Sequence, residues 1–425
     1  MKFKIKLLFV ALILSAQTIS AQIWTQVGSD IEGEGERGKF GRPALLCSDG
    51  SVVAVHGRGN DKAGHGRVFR NINGIWTQIG SDIVVTEEGS DLSGNTIALS
   101  SDGSTVGIGV PGSSDINDER SFVRVYQNIN GTWTQIGSDI RGESHSDLGI
   151  SVSLSSDGSI VATGGSRKRL IFWKGAPEQK GHVRVFQNIN GSWMQIGSDI
   201  DGEAEFGEFG SSVSLSSDGS VVAIGGRGFE SQKGYVRVFQ NIKGSWIQIG
   251  SDIYGEEELD MSGFSVSLNS DGSVVAIGAP SNDGGFHGGY TESNPRDIHN
   301  SLWVGHVRVY QNNNGSWTQL GLDIDGEAEF DGIGISVSMC SDGRTVAVGS
   351  AGANGPHEDY VRIYQYTGDS WVQIGSDIRG EASSERFGYS VSLSSDGRTV
   401  AIGAPFNNGN GLHAGQVRIY KLEND

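Results

Sequence analysis

A chain of 425 residues with 50 acidic against 32 basic side chains and a net charge of −18 is too long for one ordinary hydrophobic core. It is too acidic to favour nucleic acid or an anionic membrane as partner. Its 66 glycines are about twice the usual share of about 7% and follow no three-residue period, which excludes collagen and points to turns.

Lys2, Lys4 and Lys6 precede the apolar run Leu7 to Leu14, and Ile19-Ser20-Ala21 ends on a small residue suited to cleavage. Residues 1–21 therefore read as a secretory signal peptide, leaving 22–425 as one exported domain, periplasmic, cell-surface or extracellular. The apolar run is too short to cross a bilayer, and no other stretch approaches the roughly 18 apolar residues that a membrane helix needs.

After the leader the chain repeats. Trp24, Trp76, Trp133, Trp193, Trp246, Trp317 and Trp371 mark seven copies spaced 52 to 71 residues apart, a period that indicates a propeller, solenoid or array. Within a copy the apolar residues alternate with period two, as in Ser151-Val152-Ser153-Leu154 and then Ile160-Val161-Ala162 beyond Ser-Asp-Gly-Ser. Asp-Gly supplies the positive φ of a hairpin turn, with aspartates at 49, 102, 157, 218, 271, 342 and 396. A second hairpin follows, Val183 to Gln187 turning at Asn190-Gly191 into Trp193 to Gly197. Four strands, A to D, result per copy, and no helical period appears. The expected fold is all-β: a seven-bladed β-propeller of four-stranded antiparallel blades.

The ends complement each other. The mature sequence opens on Ile23 to Ile31, a strand D without its A, B and C, and stops on Val417 to Lys421, a strand C without its D. The N-terminal strand is expected to complete the last blade.

If Asn130-Gly131 is a two-residue turn, Asn128 faces Trp133, Tyr126 faces Gln135 and Arg124 faces Gly137, with Asp139 one diagonal away. Arg67, Arg124, Arg184, Arg237, Arg308, Arg362 and Arg418 recur at this place, as do Asp82, Asp139, Asp199, Asp252, Asp323, Asp377 and Asp30. An Arg–Asp bridge is expected in every blade, with Asp30 serving Arg418. Sevenfold recurrence marks architecture rather than an active site. Cys47 and Cys340 precede the same Asp-Gly in non-adjacent copies and are read as free core thiols.

Departures from the repeat carry more information about function. Copies one and two are worn, with Arg42-Pro43-Ala44-Leu45-Leu46 and Thr96-Ile97-Ala98-Leu99 replacing the SVSL strand. Copy three inserts Ser166 to Lys174 between strands B and C, including Arg167, Arg169, Phe172 and Trp173. Copy five inserts Ser281 to Val304, with Phe286, His287, Tyr290, His299 and Trp303. In antiparallel blades the B to C and D to A loops share a face, so these nine residues are the candidate ligand-binding set. His65, His182 and His306 share the start of strand C and are read as structural.

Phe209-Gly210-Ser211-Ser212-Val213, Ala276-Ile277-Gly278-Ala279-Pro280, Phe387-Gly388-Tyr389-Ser390-Val391 and Ala401-Ile402-Gly403-Ala404-Pro405 resemble FG-GAP repeats. That family builds the seven-bladed propeller of integrin α subunits and occurs in exported bacterial proteins, and the resemblance spans residues 23–425. It implies a binding or adhesion module. In the family some blades hold calcium in an A to B turn bearing several spaced acids. Here that turn carries one carboxylate, so the calcium site is not carried over. No cofactor is expected, with calcium on the acidic D to A loops (Asp201, Glu203, Glu205, Glu208; Glu256, Glu257, Glu258, Asp260) as the alternative.

A monomer that binds a glycan or extracellular protein through this face is therefore the leading reading. A secreted carbohydrate-active hydrolase or lyase is the alternative, against which stand scattered histidines and the absence of G-x-S-x-G or H-E-x-x-H. A ligand-free filler of the cell surface is a third.

Overall fold

The computed structural model describes residues 22–58, 64–85, 96–111, 121–142, 147–165, 180–203, 208–228, 233–282, 303–352, 358–382 and 384–423, and these contain no helix. The signal-peptide reading of 1–21 lies outside the described residues. Seven sheets of order A-B-C-D form a ring. Their innermost strands A are Ala44–Leu46, Thr96–Leu99, Leu148–Leu154, Phe209–Leu215, Ser265–Leu268, Ile333–Met339 and Ser390–Leu393, each packed on both neighbours. Strands B, such as Val221–Gly226 and Val274–Ala279, are buried along their whole length, which is why they read as apolar runs.

Both hairpins form as the turn residues dictate. In the A to B turn Gly158 has φ +70°, and Asp157 Oδ1 accepts the Ser159 amide at 2.9 Å. In the C to D turn Asn130 and Gly131 both have positive φ, and Asn128 Oδ1 accepts the Gly131 amide. Strand C then pairs with D as expected through Asn128↔Trp133 and Tyr126↔Gln135. Beyond that point the expected register is corrected. Strand D bulges at Gly137, φ +70°, and resumes with Val123↔Ile140, two residues out of step. The bulge swings Asp139 onto Arg124 and turns the Ile136 carbonyl outward.

That carbonyl has a use. Trp193 Nε1 donates to Ile136 O at 2.9 Å, and the same bond joins Trp246 to Ile196, Trp317 to Ile249, Trp371 to Leu320, Trp24 to Ile374, Trp76 to Val27 and Trp133 to Ile79. The seven tryptophans form an outer belt in which each blade holds the one before it. Around the axis, a second closed ring runs through the backbone amides and carbonyls of Ser48, Ser101, Ser156, Ser217, Ser270, Ser341 and Ser395, at 2.8 to 3.1 Å. Serine hydroxyls of strand A add further ties, as Ser153 Oγ accepts from Leu215 N and Ser392 Oγ from Leu46 N. Copies one and two look worn because Leu45 and Ala98 stand at this serine's place.

Between belt and axis the two glycine motifs meet. A Cβ on Gly164 would lie 1.9 Å from Gly210 O, and one on Gly403 would lie 2.1 Å from Gly41 O. The glycine of Phe-Gly in one blade thus touches the Gly of the B strand in the blade before it, backbone on backbone. Ser151 and Ser390 hydroxyls donate to those same carbonyls.

Closure follows the expectation. Ile23–Gln26 pairs with strand C of the last blade through Trp24↔Leu422, and Ile31↔Val417 extends the pairing. Cys47 and Cys340 are free and buried, and each Sγ accepts the amide that a serine hydroxyl accepts elsewhere, from Val52 and Thr345.

Candidate functional site on the loop face

The start of each strand C, the bulge of its strand D and the loop arriving from the preceding blade meet on the face that carries the B to C loops. The expected Arg–Asp bridge forms in six blades. Arg67–Asp82, Arg124–Asp139, Arg184–Asp199, Arg237–Asp252, Arg362–Asp377 and Arg418–Asp30 all lie at 2.7 to 3.1 Å. A second arm was missed. Glu34, Glu203, Glu327 and Glu381, each following a glycine in the incoming loop, reach Arg67, Arg237, Arg362 and Arg418 at 2.7 to 3.0 Å. The Gly-Glu pair recurs visibly in the sequence, but only the folded ring brings it to the arginine of the blade that its loop enters.

Two residues before each arginine, and on the same side of strand C, the repeat allows variety: His65, Phe122, His182, Tyr235, His306, Tyr360 and Gln416. This position distinguishes the blades. In blade 4 it lines a cleft of about 470 Å³ formed by Glu203, Lys233, Gly234, Tyr235, Arg237, Asp252 and Tyr254. Tyr235 is 6% exposed, stacks on Phe209 at 5.9 Å, and carries Arg237 over its ring at 5.2 Å. Its hydroxyl has no partner among the described residues, and burial pushes the phenol up to about 12, so it is a neutral donor at pH 7. Tyr254, 58% exposed, lies beside Tyr235 with ring centres 6.1 Å apart and donates to Asp252 at 3.0 Å.

Blade 5 departs from the clamp. Arg308 Nη2 turns to the Tyr254 carbonyl at 2.7 Å and its Nη1 lies 3.6 Å from Glu256 Oε1. Asp323 Oδ2 is left 3.8 Å from His306 Nδ1, with Glu256 Oε2 at 4.0 Å. Burial holds His306 down at about 4, a neutral imidazole at pH 7. Burial, with Asp323 and Glu256 close by, raises the Asp325 carboxyl.

Of the nine residues expected to bind ligand, Arg167, Arg169, Phe172, Trp173, Phe286, His287, Tyr290 and His299 lie outside the described residues. Trp303 is half-buried at the start of blade 5 strand C, with φ +46° and its carbonyl accepting the Gly332 amide at 2.7 Å. The blade 4 cleft was overlooked because Tyr235 and Tyr254 occupy ordinary repeat positions. Their signal was the mismatch with the equivalent residues of other copies.

Several acids of the D to A loops are tied into the fold. Asp260 is buried and caps its own loop by accepting the Glu256 and Glu257 amides, and Asp331 does the same for Glu327 and Ala328. Glu208 pairs with Arg227, and Glu205 lies outside the described residues. In the A to B turn, Asp157 Oδ1 accepts from the Ser155 and Ser159 hydroxyls and from the Ser159 amide. Asp359 stands where five other blades have Gly64, Gly181, Gly234, Gly305 and Gly415, and burial beside Glu385 pushes it up to about 8. On the opposite face an axial depression of about 170 Å³ is lined by the repeating serines and leucines, hence by architecture.

Comparison with known proteins agrees with this geometry. Among solved structures the chain is similar to hydrazine synthase of Kuenenia stuttgartiensis, at 14% identity and TM-score 0.52 over 89% of this chain and 94% of that one. It is similar to the β-propeller domain of Myceliophteria thermophila Cps50 (Swd1), at 9% identity and TM-score 0.55 over 93% and 99%. A third is the oligogalacturonate lyase of Vibrio parahaemolyticus, at 10% identity and TM-score 0.53 over 94% and 93%. Likeness at this identity concerns the fold alone. No curated protein matches the sequence. Residues 379–420, from the loop entering blade 7 to its strand C, match the FG-GAP repeat, so the chain is a seven-bladed β-propeller that carries an FG-GAP repeat in its last blade.

Proposed function

We propose that this protein is an exported, monomeric binding module that recognises a carbohydrate through the loop face, with the blade 4 cleft as its centre. The observation that carries the reading is the pairing, in one cleft of about 470 Å³, of two tyrosine rings with fixed ionic groups. A sugar presents an apolar face and a rim of hydroxyls. Tyr254 offers a flat exposed surface for the first, while Asp252, Glu203 and Lys233 offer acceptors and a donor for the second. Arg237 holds Glu203 and Asp252 in place at 3.0 and 2.8 Å, so the polar groups are oriented before any ligand arrives.

A glycan array read with the intact protein and with Tyr254→Ala tests this. Binding of a defined glycan that weakens about tenfold in the variant, roughly 1.4 kcal/mol, is the expected result. Release of new reducing or unsaturated ends from the bound polysaccharide would overturn it in favour of a hydrolase or lyase. Binding that ignores Tyr254→Ala would move the site elsewhere on the face.

A further inference from the structure

We infer that blade 5 holds a divalent transition-metal ion, with His306 Nδ1, Asp323 Oδ2 and Glu256 Oε2 as its protein ligands. This site is separate from the blade 4 cleft and does not depend on the carbohydrate reading. The three ligand atoms lie within 4.8 Å of one another. The two carboxylate oxygens stand 3.8 and 4.0 Å from the imidazole nitrogen, too far for hydrogen bonds and close to the spacing of about 3.4 Å between ligands held at 2.0–2.1 Å around a tetrahedral ion. The His306 side chain is 2% exposed, and its Nδ1 faces both carboxylates from beyond hydrogen-bonding distance.

The remaining oxygens are already held. Asp323 Oδ1 accepts from Gln319 Nε2, and Glu256 Oε1 faces Arg308 Nη1 at 3.6 Å. Such outer contacts orient the free oxygen of each carboxylate inward, as supporting residues do around metal ions. Charge argues the same way. Glu256, Asp323 and Asp325, the last paired with His306 across the strands, gather beside Arg308, with the Lys233 ammonium held at the Glu256 carbonyl.

Blade 1 provides the internal comparison, because it carries the same residue types. There Arg67 bridges Asp82 at 2.9 Å and Glu34 at 2.7 Å, and His65 hydrogen-bonds Asp82 at 2.9 Å, so the gap is closed. In blade 5 the arginine has swung to the Tyr254 carbonyl and the gap is open. One imidazole with two carboxylates selects zinc or a neighbouring transition ion over calcium, which prefers six to eight oxygens. Glu256 is 50% exposed, which leaves an open side for water or a ligand group.

The test is equilibrium dialysis of the untagged, chelator-stripped protein against zinc chloride, with calcium chloride in parallel and circular dichroism to confirm folding. The wild type is expected to retain one zinc that Glu256→Gln and Asp323→Asn each weaken at least tenfold, while Glu34→Gln in blade 1 leaves it unchanged. The visible spectrum of the cobalt-substituted protein should change in the Glu256→Gln variant as well. Zinc retention below one equivalent, retention indifferent to both blade 5 changes, or calcium held in zinc's place would each overturn the proposal. Glu256 lies on the surface, so its variant folds even if the other does not.

Discussion

At the residue scale, the Arg–Asp clamp shows how a repeated pair becomes structure without becoming chemistry. Asp139 is held below its ordinary value of 3.8 chiefly by its hydrogen bond from Arg124. A lowered carboxyl contributes stability that is complete above the unfolded value and is lost as pH falls through the lowered one. Asp139→Asn should therefore cost about 1.5–3 kcal/mol at pH 7, read as a shift in urea midpoint, and should lose part of the wild type's sensitivity to acid below pH 4. Asp359 works in the opposite sense. Burial first, and Glu385 second, raise it to about 8, so the folded protein keeps a proton that the unfolded chain has released. Stability should fall as pH rises from about 4 to about 8, and thermal melts of Asp359→Asn should be flatter over that window. A variant as pH-dependent as the wild type would remove Asp359 as the cause. The clamp's aspartate was legible from recurrence and spacing alone. Its glutamate arm was not, because Glu203 meets Arg237 only after the ring has set one copy's incoming loop beside the same copy's strand C.

At the scale of the element, strand D carries the clearest difference between expectation and structure. The period-two pattern predicted an unbroken strand, yet Gly137 at φ +70° bulges it by two residues. The serine and glycine of Ile-Gly-Ser-Asp were visible, but a glycine in a strand can mark a bulge, a bend or a close approach. The indole of the next blade decides among these, since it takes the carbonyl that the bulge frees. Trp246→Phe should lower stability by about 1 kcal/mol through loss of the bond to Ile196 O, measured by chemical unfolding. Strand B offers a sharper test. Gly164→Ala drives a Cβ to within 1.9 Å of Gly210 O and should cost about 1–3 kcal/mol, whereas Gly107→Ala meets only side chains at 3.5 Å or beyond and should be near neutral. Equal melting temperatures for the two variants would contradict the backbone contact as the reason for the paired glycines.

At the scale of the whole molecule, the ring is held by contacts that each join one blade to the next, and the outer belt among them closes through the N-terminal strand. Trp24 donates to Ile374 O and Val27 O accepts from Trp76, so Ile23 to Ile31 supplies two links of the outer belt besides its pairing with Gln416–Glu423. Deleting 23–31 should leave blade 7 without its outer strand and produce a protein that unfolds in a broad, early transition by differential scanning calorimetry. An open array would survive the deletion with little change. Local patterning by itself determined the strands, both hairpin turns, the sevenfold count and the complementary ends, because alternation, Asp-Gly and Asn-Gly act over a few residues. It also determined that most acids and arginines are architectural, since sevenfold recurrence is visible without coordinates. Only the tertiary structure decided where repetition breaks. The Tyr235–Tyr254 cleft and the opened cluster of Glu256, His306 and Asp323 use residues at ordinary repeat positions, contributed by strands C and D and by the loop arriving from the blade before. Their distinction lies in which neighbour each arginine chooses, and that choice is made by packing between blades, not by the order of residues along one.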